Sequence, residues 1–247
     1  MRFDNETIEY ISGKKFSNGA NILISKKNEP LCNRFQIIES LCINKTVIHL
    51  GCVDHLPLIN KKIKQNVWLH ARLCKIAKRC LGIDINNQGI DYLKYTLGYN
   101  DVICADILSD IDEINDNQWD YLVLGEVLEH INDPCLFLQQ LNKKYKNKIN
   151  RVIITVPNAF SWQNIRSTFS HNELINTDHR YWFTPFTLAK ILNLSGFAIE
   201  EFNFCELNVD INSRLYAFIK NPRYLFYRSL FKLFPATRST LLMVAKL

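Results

Sequence analysis

From residue 47 onwards, short apolar runs alternate with longer stretches whose apolar residues recur every three or four positions. The apolar runs cover residues 47–50, 81–83, 102–104, 121–124 and 152–156. The periodic stretches include 67–78, 86–97 and 134–145. A further periodic stretch precedes the first apolar run and begins near residue 30. Short runs predict buried strands, and the periodic stretches predict helices. This alternation is typical of right-handed βαβ units, so we expect a doubly wound α/β fold with a mainly parallel sheet.

The two ends of the chain depart from this pattern. Residues 1–28 are polar and weakly patterned, with a hairpin predicted around Asn18-Gly19, and they form an N-terminal extension. The remaining residues, 29–247, make up one domain. Within it, an irregular, aromatic-rich insertion of about 158–182 follows the fifth apolar run, and a basic, aromatic helical excursion occupies about 211–238.

Between these two segments the pattern becomes regular again. Thr184-Pro185 has the form of an N-cap followed by proline at the first helical position, and Gly196 is placed to end that helix. Apolar runs at 197–204 and 241–245 then predict a sixth and a seventh strand.

Composition narrows the class of protein. The 247 residues are 47% hydrophobic and 22% charged, which is typical of a folded globular chain. No apolar stretch reaches the roughly 18 residues needed to span a bilayer, and the N-terminus lacks the apolar segment of a signal peptide. None of the eight cysteines forms a C-x-x-C pair, which favours free thiols over disulfides or a metal site. We therefore expect a cytoplasmic protein without a bound metal.

The charge of +6 is concentrated near the C-terminus. After Asp210 the chain has seven lysines and arginines and no acidic residue, so the first 210 residues are close to neutral. A near-neutral body argues against a nucleic-acid groove across the domain. The basic and aromatic residues of 211–238 fit either a helix packed over the sheet edge or peripheral contact with an anionic membrane or a lipid-linked acceptor.

Candidate binding residues follow the strands, because ligands of open parallel sheets lie at the carboxyl ends. Asp84 ends the second strand, where an acidic residue can accept hydrogen bonds from a ribose diol, although it could instead cap the following helix. Asp106, after the third strand, could bind an adenine amine or close a turn. The loop from Gly51 to His55 and the pair Gly125-Glu126 complete this edge.

The order of these segments resembles class I methyltransferases, over about residues 45–205. The resemblance rests on Val47–Cys52, Gly82-Ile83-Asp84 and the run from Asp120 to His130, which contains Gly125-Glu126-Val127-Leu128-Glu129-His130. A late segment, Asp178-His179 followed by Phe183-Thr184-Pro185 and a helix ending in Gly196-Phe197, is similar to that of methyltransferases acting on small molecules and glycans.

The resemblance implies a seven-stranded sheet with an antiparallel last strand and S-adenosylmethionine bound over the first three strands. It also implies methyl transfer, which we interpret as O-methylation, to a small-molecule or glycan acceptor. The cofactor-binding residues expected from the strand ends and the resemblance together are Gly51, Cys52, Asp54, His55, Asp84, Ile85, Asp106, Ile107 and Gly125.

The loop after the first strand departs from the family. Where the family has Gly-x-Gly-x-Gly, this chain has Gly51, Val53 and His55, and the next helix is predicted to begin only near Asn66. Two interpretations stay open: Asp54 or His55 covers the cofactor, or the chain is a catalytically inactive methyltransferase-like binding module.

Methylation of a hydroxyl requires removal of its proton, and histidine is the commonest base near neutral pH. His179, in the insertion after the fifth strand, is the first candidate, and its alternative role is to hold that segment. Glu126 and His130, after the fourth strand, are further catalytic candidates, with His130 more typical of a structural residue.

Two other enzyme classes are excluded by missing motifs. A nicotinamide-dependent dehydrogenase would need a G-x-G-x-x-G turn after the first strand. A methyltransferase acting on nucleic-acid bases would carry Asn/Asp-Pro-Pro-aromatic after the fourth strand, where this chain has Gly125–Leu128.

Overall fold

A computed structural model describes residues 1–206 and 222–247. Within them the chain forms one seven-stranded sheet in the order β3-β2-β1-β4-β5-β7-β6. The strands are β1 (Thr46–Leu50), β2 (Arg79–Asp84), β3 (Val102–Cys104), β4 (Trp119–Gly125), β5 (Ile149–Pro157), β6 (Ala198–Cys205) and β7 (Thr240–Lys246). Strands β1 to β5 run parallel, and β7 pairs antiparallel with both β5 and β6. The doubly wound fold with an antiparallel last strand is confirmed.

Helices cover both faces of the sheet. Their bounds are α1 (Asn5–Ser12), α2 (Arg34–Cys42), α3 (Ile59–Lys64), α4 (Leu69–Ile76), α5 (Asn87–Asp91), α6 (Asp112–Asn115), α7 (Pro134–Tyr145), α8 (Trp162–Phe169), α9 (Pro185–Leu194) and α10 (Pro222–Leu233). A π-helical turn, Tyr92–Thr96, extends α5. No helix in the described part of the chain is both long and apolar enough to cross a membrane.

The central strands are unbroken apolar runs in the sequence because helices cover both faces of the sheet. Ile48, Leu122 and Ile154 are buried in a core that includes α7 and α9. Val47, Val123 and Ile153 face a second core formed with α2 and α4. This two-sided burial fixes strand register, which brings the ends of β1, β2 and β4 to one edge.

The first 28 residues contain a helix that was not predicted, and no strands form the hairpin that was predicted around Asn18-Gly19. Residues 5–12 form α1 instead of lying in a weakly patterned segment, with Asp4 as N-cap and Gly13 at a φ of 76° as C-cap. Ile11 is 1% exposed and joins the main core, while Phe3 stacks on Phe202 of β6. Ile11 is the one buried apolar residue of α1, which leaves too weak a periodic signal to detect from sequence.

Two further helices were missed in segments interpreted as loops. α3 follows the loop after β1, so the next helix begins well before Asn66. α8 lies inside the insertion of about 158–182, where Ser161 caps its first turn. By contrast, α9 begins as expected at Pro185, with a reciprocal capping box between Thr184 and Thr187.

The basic excursion of about 211–238 lies partly outside the described residues, which resume at 222. Its described part is α10 and the turn that follows. Arg238 is 1% exposed, and its guanidinium donates to the carbonyls of Phe231, Phe204 and Glu29. Arg238 is therefore an internal anchor for α10 and does not contribute to a basic surface.

The cysteines are all free, as expected. Cys42, Cys52, Cys80 and Cys205 are buried, whereas Cys104 at the end of β3 is exposed.

Candidate active site

The loop after β1 is organised by main-chain hydrogen bonds to β2. Gly51 takes a φ of 76°, and its N–H donates to the carbonyl of Ile83 at 2.8 Å. The Val53 N–H donates to Asp84 Oδ2 at 3.0 Å. The Val53 side chain is buried against α5, where a Cβ on Gly89 would lie 2.3 Å from its methyl carbon. Val53 thus occupies a glycine position of the family because Gly89 makes room for it.

Asp84 and Ile85 have the character of a nucleoside site. The Asp84 carboxylate is half-buried and also accepts a hydrogen bond from the Asn86 N–H at 2.9 Å. The side chain that caps α5 is Asn86, so Asp84 is free of that role. A carboxylate accepts about four hydrogen bonds, which leaves capacity for a ribose diol. Ile85 is 78% exposed and offers an apolar surface to a base.

The other expected cofactor residues differ in exposure and in their hydrogen-bond or ion-pair partners. Asp106 is exposed, and one carboxylate oxygen accepts from the Leu108 N–H. Asp54 takes a φ of 60° and pairs with Lys62 at 2.6 Å, while His55 is exposed.

Two of the expected cofactor side chains lie in the core. Burial raises the pKa of the Cys52 thiol, and that thiol faces Gly82. Ile107 is 2% exposed. Neither Cys52 nor Ile107 can offer its side chain to a ligand, so any part they take is through the main chain.

Both glycines of the edge are explained by packing. A Cβ on Gly51 would lie 2.8 Å from a methyl carbon of Val127, and one on Gly125 would lie 2.7 Å from a methyl carbon of Leu69. Gly51 therefore has a packing reason to be a glycine that holds without any bound ligand, because Val127 fills the space where its side chain would lie.

Glu126, directly after β4, is held in an unusual conformation. Its φ is 61°, a region that costs a non-glycine residue energy and is often found at functional sites. Its carboxylate pairs with the guanidinium of Arg34 at 2.8 Å. Arg34 begins α2 and is 8% exposed. Sequence reasoning missed Arg34, because nothing in its local pattern indicates that α2 reaches the end of β4.

Three residues gather beside Glu126, and together we call these four the acceptor cluster: Glu126, Glu129, His130 and His179. Glu129 and His130 lie on a 3₁₀ turn, Leu128–His130, just beyond β4. The His179 Nε2 atom lies 3.9 Å from Glu129 Oε1, and the His130 and His179 rings meet edge to face at 4.8 Å. All three catalytic candidates expected from the sequence are thus brought together, with Glu129 as an unexpected fourth member.

Burial controls the electrostatics of the cluster. Glu129 is fully buried, which together with the nearby charge of Glu126 raises the pKa of its carboxyl group to about 9. Burial and the neighbouring His130 lower the pKa of His179. His179 is therefore neutral near pH 7 and carries a free lone pair, which is what a base or a metal ligand requires.

Hydrogen bonds fix the segment that carries His179. The Arg180 N–H donates to the Glu129 carbonyl at 2.9 Å, and the Arg180 guanidinium donates to the His130 carbonyl. The Tyr181 hydroxyl donates to the Asn132 carbonyl at 2.7 Å. The insertion after β5 is thereby tied to the turn after β4, which positions His179 without using its own ring nitrogens.

A groove leads away from His179. It consists of two adjoining cavities of about 310 and 430 Å³, which share Ser161, Gln163, Leu174 and Ser239. His179 and Trp182 line the first cavity. The second is lined by aromatic and basic residues of α8 and α10, including Trp162, Arg166, Tyr227, Arg228 and Phe231.

A family model described as a methyltransferase domain matches residues 44–201, more than half of the chain. The chain belongs to the class I methyltransferases. It is an enzyme whose cofactor is S-adenosylmethionine. The matched region of this methyltransferase includes the loop after β1, Asp84, Asp106 and the whole acceptor cluster.

Solved structures share this methyltransferase fold. An S-adenosylmethionine dependent methyltransferase from Mesorhizobium loti is 13% identical, with a TM-score of 0.53, and the match covers 86% of this chain and 95% of that one. A putative S-adenosylmethionine dependent methyltransferase from Listeria monocytogenes is also 13% identical, with a TM-score of 0.50 and coverage of 86% and 94%. At this identity the likeness shows the fold alone. A search of curated proteins found no match.

Proposed function

We propose that this methyltransferase transfers the methyl group of S-adenosylmethionine to a hydroxyl group of a glycan or another small acceptor. The observation that carries the proposal is the neutral, half-buried His179, fixed by its neighbours and opening onto the groove. A hydroxyl acceptor needs a group that draws off its proton, whereas an amine acceptor already has a free lone pair when neutral.

The residues divide the work between cofactor and acceptor. Asp84 would receive the ribose, Ile85 would lie against the base, and Asp106 would bind the adenine amine. S-adenosylmethionine supplies a methyl group activated by its positively charged sulfur. The acceptor oxygen forms the new bond to the methyl carbon, the carbon–sulfur bond breaks with its electron pair staying on sulfur, and the hydroxyl proton passes to water in the groove. His179 makes the hydroxyl a nucleophile in this step.

The groove indicates the chemistry of the acceptor. Its far end combines aromatic surfaces from Trp162, Tyr227 and Phe231 with two cationic side chains, Arg166 and Arg228, and one carboxyl group, that of Glu206. Aromatic rings stack on sugar rings or lipid chains, and arginine pairs with carboxylate or phosphate. We therefore favour an acceptor with a hydroxyl at one end and an anionic or lipid-linked portion at the other.

The free cysteines favour a reducing compartment, so we place the reaction in the cytoplasm. α10 and the residue that follows it support peripheral contact with the inner face of a membrane, since Leu225, Phe226 and Leu233 of the helix and Phe234 after it are exposed. A lipid-linked acceptor would then be presented at the surface on which α10 rests.

The direct test has two parts. Calorimetry with S-adenosylmethionine and S-adenosylhomocysteine should show one site per chain. Transfer of radiolabelled methyl groups should then be measured onto panels of sugars, phosphosugars and lipid-linked sugars, alongside matched amino sugars. We expect labelling of hydroxyl acceptors. Labelling of the amino sugars alone would overturn O-methylation, and absence of cofactor binding would overturn the activity itself.

A further inference from the structure

Three side chains of the acceptor cluster have the composition and spacing of a metal site. Glu129, His130 and His179 each offer one ligand atom, and these atoms lie within 4.8 Å of one another. Two imidazole nitrogens and one carboxylate oxygen form a common donor set for first-row divalent metals. At this spacing, small side-chain movements are enough to bring the three donors onto one cation.

The hydrogen bonding of Glu129 supplies a second, independent observation. Glu129 is 0% exposed, and neither of its carboxylate oxygens has a hydrogen-bond partner among residues 1–206 and 222–247. The His179 Nδ1 atom is also buried without a partner among those residues. Burying unpartnered polar groups costs free energy, so such groups in a native fold call for a ligand or a catalytic role.

We propose that Glu129, His130 and His179 bind a divalent transition-metal ion that holds the acceptor hydroxyl. The inference rests on the proposed function, because it assigns the means by which His179 activates the hydroxyl. A protein site with three ligands leaves coordination positions open for the acceptor. Nitrogen donors favour Mn²⁺, Fe²⁺, Co²⁺ or Zn²⁺ over Mg²⁺, which prefers oxygen ligands.

The surroundings of the three ligands suit a cation. Glu126 stands beside them, and its ion pair with Arg34 holds it at the rim of the cluster. Arg180 fixes Glu129 and His130 through their carbonyls, which leaves both side chains available. A hydroxyl bound to the cation loses its proton more readily and can release it to water in the groove as the oxygen attacks the methyl carbon. His179 then acts as a metal ligand, with no need to carry the proton itself.

A second group of ligand-type residues, His70, Cys74 and Cys80, provides an internal comparison. Here the side chains already contact one another, with His70 Nε2 3.6 Å from Cys74 Sγ and His70 Nδ1 3.3 Å from His49 Nδ1. Both ring nitrogens of His70 have a partner. The argument from buried groups without hydrogen bonds therefore does not apply to this second set.

The proposal is tested by binding Mn²⁺ to the full chain after treatment with a chelator. Mn²⁺ is chosen because it binds thiolates poorly, which separates the acceptor cluster from the cysteine set. Calorimetry should show one Mn²⁺ per chain, with affinity reduced at least about 100-fold in Glu129→Gln and His179→Ala. His171→Asn, which changes an exposed histidine while suiting its φ of 56°, should bind Mn²⁺ like the wild type.

Cofactor binding keeps this test separate from the proposed function. Each variant should bind S-adenosylhomocysteine as the wild type does, which also shows that it is folded, and His130→Asn replaces any variant that fails this check. Absence of Mn²⁺ binding, equal binding in Glu129→Gln and His179→Ala, or loss only in Cys74→Ser would each overturn the metal site. Methyl transfer that persists at full rate in chelator would do the same while leaving the methyltransferase activity intact.

Discussion

At the ends of β2 and β3, the carboxylates of Asp84 and Asp106 are accessible and already accept main-chain hydrogen bonds. Past the end of β4, Glu129 is fully buried and neither carboxylate oxygen has a hydrogen-bond partner among the described residues. The first region can keep its present arrangement when a nucleoside arrives, because its carboxylates have spare lone pairs and face solvent. The second carries polar groups whose satisfaction depends on something that binds there.

This difference follows from how each region is built. The cofactor side lies directly on strand ends, so its geometry is set by the register of β1, β2 and β3. The acceptor cluster joins a turn after β4 to a segment about 50 residues later in the chain, through the hydrogen bonds of Arg180 and Tyr181. Binding of the cofactor and action on the acceptor should therefore be separable by mutation.

The largest effect is expected from His179→Ala. Turnover should fall by roughly 10²–10⁴-fold, because the hydroxyl loses the group that makes it a nucleophile. Affinity for S-adenosylmethionine should change little, since the contacts of His179 among residues 1–206 and 222–247 are with the acceptor cluster and the groove. Steady-state kinetics and calorimetry on the same preparation measure the two quantities.

His171→Asn is the matched control for His179→Ala, since His171 is exposed and outside the cluster. Its turnover should equal that of the wild type. If His179→Ala weakens cofactor binding in proportion to turnover, His179 holds the insertion in place and has no chemical role.

Asp84→Ala should produce the converse result on the cofactor side. We expect S-adenosylmethionine affinity to weaken by about 1.5–3 kcal/mol, at least tenfold, because two charge-assisted hydrogen bonds to the ribose are lost. Asp84→Asn keeps one acceptor oxygen for the loop. Its affinity for S-adenosylmethionine should lie between those of the wild type and Asp84→Ala.

Asp91→Ala removes an exposed carboxylate from α5 and serves as the control for Asp84. It should leave the dissociation constant unchanged in calorimetry. A folded Asp84→Ala protein that binds the cofactor like the wild type would remove Asp84 from the site.

Val53→Ala tests the packing of the loop after β1, where Val53 stands in place of the family's second glycine. Truncation leaves a cavity beside Gly89 and should lower the free energy of unfolding by about 1.5–2.5 kcal/mol, measured by urea denaturation. Cofactor affinity should stay the same, since the side chain points into the core. A large loss of affinity would mean that Val53 shapes the cofactor site directly.

The sequence predicted the parts of the fold that depend on strand order. Asp84 could be placed because it ends an apolar run, and α9 because Thr184-Pro185 is a local capping signal. α1 and α3 were missed because short helices with one buried apolar residue each lack a clear period. Periodicity therefore locates elements that cross the core and misses those that cover it.

The site was predictable to a similar, limited extent. Glu126, His130 and His179 were all identified from residue type and position after a strand, and the structure brings them together. Arg34 and the burial of Glu129 were not, since each depends on a contact between segments far apart in the chain. Val53 was interpreted as a departure that threatened the cofactor site, and only its contact with Gly89 shows how the departure is accommodated.

The smallest expected effect concerns α10, where the acceptor groove meets the surface. α10 exposes Leu225, Phe226 and Lys232, and no acidic residue follows Asp210, so its charge suits an anionic lipid surface. The intact protein should co-sediment with vesicles containing phosphatidylglycerol and be released in high salt, because the attraction is screened. Lys232→Gln should weaken binding about fivefold, from roughly 1 kcal/mol per basic residue, and Phe226→Ser should weaken it through lost apolar contact. Lys61→Gln removes the same charge from α3 and should sediment like the wild type. Equal recovery in the supernatant with and without vesicles would show that α10 serves only to wall the groove, and the acceptor would then have to reach His179 from solution.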